Sequence, residues 1–178
     1  MEFQEKLRLA EAAAKCGLIK SVEFGLVVMA YAESEGLHPA AGLREYKEVS
    51  GKPSLSAESM LARFQRSGGS VVWEALTDER AVAVFSHGDT SVRIEWDIDR
   101  ARKAGLLTDR GGRPSMWKLY PRAMLRSRVV SEGVRTVFPG LVLGVYTPEE
   151  QEQIQQEDQA KPEPVSEKPK KAEASAYA

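Results

Sequence analysis

The spacing of apolar residues predicts helices along the first third of the chain. Residues 3–16 have high helix propensity and are followed by Gly17, a natural stop. Ser21 is placed to cap a second helix that closes at Gly36, with Phe24, Val27, Val28 and Tyr31 on one face. Ser56 is placed in the same way to cap a third helix, which a double glycine ends.

Two other regions show the short runs that are typical of strands. Ser50-Gly51-Lys52 separates two such runs and predicts a hairpin. Residues 70–96 contain three runs rich in Val, Ile, Phe and Trp, separated by Asp78-Glu79 and by Gly88-Asp89. These runs predict an antiparallel meander, after which Asp97 caps a further helix.

The longest helical pattern covers Met116–Phe138. Apolar residues recur at helical spacing at Tyr120, Ala123, Met124, Val130, Val134 and Val137. Pro121 predicts that this helix begins or kinks there. Residues 141–146 then predict an outlying strand or extended arm, and Thr147 caps a last helix. The order of elements predicts an α+β fold, in which a hairpin and a three-stranded antiparallel meander pack with helices, including a long basic one.

Composition adds the expected class and organisation. The chain has 178 residues, 42% hydrophobic and 29% charged, which is typical of a globular protein. A single cysteine, no leader-like start and no apolar run of roughly 20 residues predict a cytoplasmic protein without a membrane span. Six acids, four lysines and few apolar residues predict that 151–178 is a disordered tail. We therefore expect an N-terminal helix in 1–20, a core in 21–150 and the tail.

Positive charge is concentrated just before and along the long helix. Between Arg110 and Val130 there are six bases and no acid, although the formal net charge of the chain is only -1. The cluster and its continuation contain Arg110, Arg113, Lys118, Arg122, Arg126, Arg128 and Arg135. Lys118, Arg122 and Arg126 are four residues apart and share one helical face, where their mutual repulsion favours an anionic partner. The alternative is that acids elsewhere in the fold neutralise them.

Phosphodiester is the polyanion that such a face predicts, because Lys and Arg bind it with release of counterions. Trp117 and Tyr120 are candidates for stacking on unpaired bases. Core packing is the alternative for both, and it is favoured for Tyr120, which lies on the apolar stripe, but left open for Trp117. Lys47 and Lys52 lie near the tip of the predicted hairpin, where a projecting basic turn can contact a nucleic-acid backbone. Exposed lysines are common at such turns, and Lys52 is kept as a candidate contact.

Enzymatic interpretations find little support. Gly51-Lys52 resembles the end of a phosphate loop, but Pro53 stands where magnesium binding requires Ser or Thr. The two histidines and the one cysteine are far apart, so no metal, cofactor or catalytic group is expected. Two alternatives remain open. One is a metal-dependent nuclease using Glu95, Asp97 and Asp99, and the other is a basic module that binds an acidic protein.

Three blocks of the sequence, taken in order, resemble a known family. They are "GKPSLSAESMLARFQRSGG", "IEWDIDRARKAGLL" and "WKLYPRAMLRSRVVSEGVRTVFPGLVLGVYTPEE". They resemble the RecT-type single-strand annealing proteins of phages and prophages, over roughly Ser21 to Glu150. The chain is shorter than is usual for that family.

The resemblance implies an ATP-independent protein that coats single-stranded DNA and anneals a complementary strand. It implies an oligomeric ring or filament, a phage exonuclease partner and contact with the single-strand binding protein of a bacterial host. It places the positive groove at Lys118, Arg122, Arg126 and Arg128, with Arg135 beside them. The 141–146 arm or the first helix are candidate subunit contacts.

Overall fold

The computed structural model describes residues 1–109, 111–142, 144–151 and 154, and it has the predicted α+β architecture. Its helices are α1 (Phe3–Lys15), α2 (Val22–Ser34), α3 (Pro39–Glu45), α4 (Ala57–Arg66), α5 (Ile98–Lys103), α6 (Met116–Leu119) and α7 (Pro121–Val137). The strands β1 (Tyr46–Val49) and β2 (Lys52–Leu55) form one antiparallel sheet; β3 (Ser70–Leu76), β4 (Arg80–His87) and β5 (Thr90–Asp97) form the other, in that order. The predicted hairpin and meander are thus confirmed.

Local side-chain caps begin the helices where the sequence predicts. The Ser21 hydroxyl accepts a hydrogen bond from the Phe24 N–H at 3.1 Å at the start of α2. Ser56 does the same at α4, and the Asp97 carboxylate accepts from the Arg100 N–H at 2.6 Å at α5. Each cap satisfies an N–H that has no partner within its helix, so these boundaries follow from sequence alone.

Helix α7 packs across one face of the larger sheet and carries much of the core. Its side chains at Leu125, Val129, Val130 and Val134 are fully buried. Gly133 allows close approach to the sheet, because a Cβ at that position would lie 2.4 Å from the Phe85 ring. The basic residues of α7 are therefore carried by a helix that packs closely against the sheet.

The long helical pattern is divided in two at Tyr120. This residue has φ -135° and ψ 59°, outside the helical region, and Pro121 occupies the first turn of α7. The break resets the helical register, so the Tyr120 side chain does not follow the apolar stripe and is 60% exposed. The expected start at Pro121 is confirmed, and the expected core position of Tyr120 is wrong. Val27 and Tyr31 of α2 are also exposed, whereas Phe24 and Val28 are buried.

The segment after α7 returns to the molecule instead of projecting from it. A 3-10 turn covers Pro139–Val142, and Tyr146 forms a parallel bridge with Ser54 of β2. The Leu55 N–H donates to the Tyr146 carbonyl at 3.1 Å. Val142 and Val145 are buried, so the expectation of an outlying arm is corrected. Apart from residues 151 and 154, the predicted disordered tail lies outside the described residues.

A buried ionic cluster joins the N-terminal helices to α4. Arg63 is 5% exposed; its Nε donates to Glu45 at 2.9 Å, and its Nη1 lies 2.8 Å from a Glu35 oxygen. The Tyr46 hydroxyl donates to Glu35 at 2.7 Å. Burial, reinforced by that bond, raises the pKa of Tyr46 to about 12. Arg63 is therefore a structural arginine and no part of a basic surface.

No helix among the described residues combines the length and apolarity needed to cross a bilayer.

Candidate nucleic-acid interface

Lys118 and Arg122 are exposed, unpartnered cations of the predicted cluster. Within the described residues, neither side chain has an ion pair or hydrogen bond. Lys118 lies on α6 and Arg122 on the first turn of α7; Lys118 and Pro121 line one side of a cleft of about 560 Å³. The two positions therefore lie four residues apart on either side of the break at Tyr120 and do not share one continuous helix as predicted.

Arg126 continues this surface one turn along α7. Its Nη1 lies 2.7 Å from an oxygen of Glu58, in the first turn of α4. Its guanidinium carbon lies 6.0 Å from the centre of the Trp73 ring. Because Glu58 is 68% exposed, water and salt screen this ion pair, and a phosphate can compete for the arginine. We call Lys118, Arg122 and Arg126 the basic ridge.

The start of α7 adds to the positive potential of the basic ridge. No side chain caps this helix at Tyr120, and its first turn contains no acid. The unsatisfied N–H groups and the positive end of the helix dipole are therefore not neutralised locally. Lys118 and Arg122 lie beside this end, so their fields and that of the helix add.

Arg128 and Arg135 have a different environment from the basic ridge. The Arg135 Nη1 donates to Glu150, and the Arg128 Nη1 lies 3.4 Å from the same carboxylate oxygen. Arg135 also donates to the Val145 carbonyl at 2.8 Å. Both arginines thus share one carboxylate of their own chain and are only partly exposed, which makes them less accessible to a phosphate than the basic ridge. We remove them from the candidate site.

The glycine-rich loop offers less free charge than the sequence suggests. Arg113 is exposed, but its Nη2 lies 2.9 Å from a carboxylate oxygen of Asp109. The Arg113 N–H donates to that carboxylate too, and this bond, with the side-chain bond and charge of Arg113, lowers the pKa of Asp109. Arg110 lies outside the described residues. Arg113 therefore belongs to the rim of the site.

Trp117 is not available for base stacking. Its side chain is 7% exposed, and its ring packs against Trp96 with the ring centres 6.0 Å apart. Trp117 therefore packs in the core, as one of the two open alternatives predicted, and we remove it from the candidate site.

The two lysines of the hairpin lie on one face of it. The register pairs Lys47 with Ser54 and Val49 with Lys52, which places both lysines on the same side. Ser50 and Gly51 have φ values of 48° and 77°, as the tight two-residue turn requires. Lys52 is exposed and remains a candidate contact at the hairpin tip.

The three carboxylates considered for a metal each have another partner. Glu95 accepts from Arg93 at 2.7 Å, Asp97 caps α5, and Asp99 pairs with Arg102. Across the part of the chain that the structure describes, no three or more His, Cys, Asp or Glu residues form a group that could hold a metal ion. These contacts account for the carboxylates without a metal.

Comparisons with known proteins add no relative from which residues could be transferred. No family model, curated protein or solved structure matches the chain. The assignment of a site therefore depends on the geometry of the basic ridge and on the sequence blocks.

Sequence reasoning singled out neither of the two acids that matter for this surface, and it favoured the core for Tyr120. Glu58 and Glu150 determine which arginines are free, and Tyr120 is exposed beside the ridge. For Glu150 a local signal exists, because Thr147-x-x-Glu150 is a capping box in which both reciprocal bonds form. Glu58 has no such signal, since its partner lies 68 residues away.

We expect that the substitution Glu58→Gln raises the affinity for single-stranded DNA. The ion pair with Arg126 must be broken when a phosphate binds, and exposed pairs of this kind are worth about 0.2–1 kcal/mol, which corresponds to roughly a 1.5- to 5-fold gain. Fluorescence anisotropy with a labelled oligonucleotide at fixed salt measures the change. Glu74→Gln is the matched control, because Glu74 pairs with Arg93 on the larger sheet. Equal gains in both variants would show a general charge effect and contradict the prediction.

Proposed function

We propose that this protein binds single-stranded DNA and anneals complementary strands without ATP. The observation that carries the proposal is the pair of exposed cations, Lys118 and Arg122, which have no partner in the described part of the chain and lie next to the start of α7, where no side chain caps the helix. Arg126 extends this surface through a pair that solvent screens. Arg113 and Lys52 are peripheral candidates.

Phosphate binding on such a surface is suited to annealing. A strand held by its phosphates keeps its base edges free, so that a second strand can pair with them. Neutralising phosphates also lowers the repulsion between two polyanions and releases counterions. Annealing makes and breaks no covalent bond, so the proposed activity requires no catalytic residue and no cofactor.

The ordered blocks that resemble RecT-type proteins support the annealing activity specifically. Under this proposal the protein acts as a homo-oligomer, a ring or a filament, because one basic ridge contacts only a few phosphates. A phage exonuclease would supply the single strand, a host single-strand binding protein would be a neighbour on it, and the bacterial cytoplasm would be the location. Two segments are predicted as subunit contacts. Helix α1 has exposed apolar side chains such as Phe3, whereas Val142 and Val145 of the 141–146 segment are buried.

The test is an annealing assay with two complementary oligonucleotides, one carrying a fluorophore and the other a quencher. With neither ATP nor magnesium present, we expect the protein to accelerate duplex formation over the spontaneous rate and to lose this effect at high salt. Absence of acceleration at every ratio of protein to nucleotide would refute annealing. Cleavage of labelled DNA on addition of magnesium or manganese would instead favour the nuclease alternative.

A further inference from the structure

The short helix α6 presents an apolar surface to solvent. Met116, Leu119 and Tyr120 are 53%, 58% and 60% exposed, whereas Trp117 between them is buried. A helix of one turn has a single inward side, and the large Trp117 side chain occupies it. The remaining apolar side chains are left outside, so the packing of this chain gives no reason for them to be apolar.

Tyr120 stands between the two free cations of the basic ridge, two residues from Lys118 and two from Arg122. Across the described residues its ring makes no ring–ring contact and its hydroxyl makes no hydrogen bond. The residue precedes Pro121 at the beginning of α7, where the backbone is fixed. The ring is therefore exposed on a rigid support, with a cation two residues away along the chain on either side.

We propose that Tyr120 stacks on an unpaired nucleobase of a strand whose phosphates contact Lys118 and Arg122. The inference rests on the proposed function and adds the residue that distinguishes unpaired from paired DNA. An aromatic ring can stack on the face of any base, so the contact requires no particular sequence. The Watson–Crick edge of a stacked base stays free, which is compatible with pairing to a second strand. In a duplex the base faces are already covered, so the same ring gains nothing there.

The charge beside the ring favours a polyanion such as a nucleic acid over an apolar protein surface as the occupant. An apolar protein surface would have to desolvate Lys118 and Arg122 without neutralising them, which costs free energy. A nucleotide carries a phosphate and an apolar base face on one chain, so a strand can contact a cation and the Tyr120 ring at the same time. Tyr120 and the two cations therefore match one ligand.

The experiment measures anisotropy with two labelled probes of equal length, a thymidine oligonucleotide and the same backbone carrying abasic sites. The variants are Tyr120→Ala, Tyr120→Phe and the control Val72→Ala, which removes an apolar side chain of similar exposure (63%) from β3. We expect the wild type to bind the base-bearing strand about tenfold more tightly than the abasic one. Tyr120→Ala should remove most of that difference and leave abasic binding unchanged, while Tyr120→Phe and Val72→Ala retain it.

Each result has one meaning. An equal decrease in affinity of Tyr120→Ala for both probes, or no decrease for either, would overturn the inference while leaving DNA binding intact. A change in oligomeric state with unchanged base dependence would show that the ring contacts protein, and would overturn it too. Failure of the wild type to bind either probe would refute the proposed function itself.

Discussion

Changing Lys118 and Arg122 together to glutamate is expected to lower the affinity for single-stranded DNA at least about a hundredfold at ~0.1 M salt. The double change takes away two cations that neutralise phosphates and puts two repulsive charges at the start of α7. The slope of log affinity against log salt should become shallower by about two, one for each phosphate that is no longer neutralised. Anisotropy titrations at several salt concentrations measure both quantities.

Folding should be unaffected by this double change, because neither side chain has a partner within the described chain. The matched control is Arg8→Glu with Lys20→Glu, two exposed bases of the N-terminal region, which alters the net charge by the same amount. If the control weakens binding as much, attraction by overall charge explains the binding and the basic ridge is not the site. An unchanged affinity of the Lys118 and Arg122 variant would exclude the ridge directly.

The substitution Glu150→Gln is expected to destabilise the fold by about 2–4 kcal/mol at pH 7, since it leaves two partly buried arginines without their shared counter-charge. Glu150 is buried; it accepts hydrogen bonds from the Ser131 hydroxyl at 2.9 Å and the Thr147 N–H at 3.0 Å, besides its bond from Arg135. Urea unfolding followed by fluorescence gives the free energy of unfolding. Glu79→Gln, at an exposed turn, is the control and should change it little.

The same carboxylate predicts a dependence on pH. Burial raises the pKa of Glu150, but bonds from Arg135 and Thr147 and the charge of Arg135 outweigh burial, so the pKa lies below its ordinary value of 4.5. Stability from Glu150 is therefore fully present above the ordinary value and is lost as the pH falls through the lowered pKa. The difference between wild type and Glu150→Gln should shrink on acidification below about pH 4.5. A difference that stays constant down to about pH 3 would contradict this account.

Elements set by neighbouring residues could be predicted from the sequence. Ser21, Ser56 and Asp97 cap their helices because a capping side chain and its N–H partner lie within a few residues. The hairpin turn at Ser50-Gly51 is likewise local. The α+β class follows from the order of such elements.

The candidate site could be predicted only in part, because the availability of each arginine to a ligand depends on acids that are distant in sequence. Nothing near Arg126 in the sequence indicates Glu58, and Arg135 meets Glu150 through the return of the chain after α7. Tyr120 leaves its expected core position because Pro121 resets the helical register, and Trp117, whose place the sequence left open, packs in the core. Periodicity assumes one continuous helix and cannot follow such a reset.

The return of the chain at 144–151 also has a consequence for shortened variants. Tyr146 pairs with the hairpin strand β2, while Arg135 of α7 binds the Val145 carbonyl beside it. This segment thus bridges two parts of the molecule that are distant in sequence. Truncation at residue 143 would leave the hairpin edge and the two arginines uncovered, and a loss of DNA binding in such a variant would report misfolding. Deletions intended to probe the C-terminal tail should begin after residue 154.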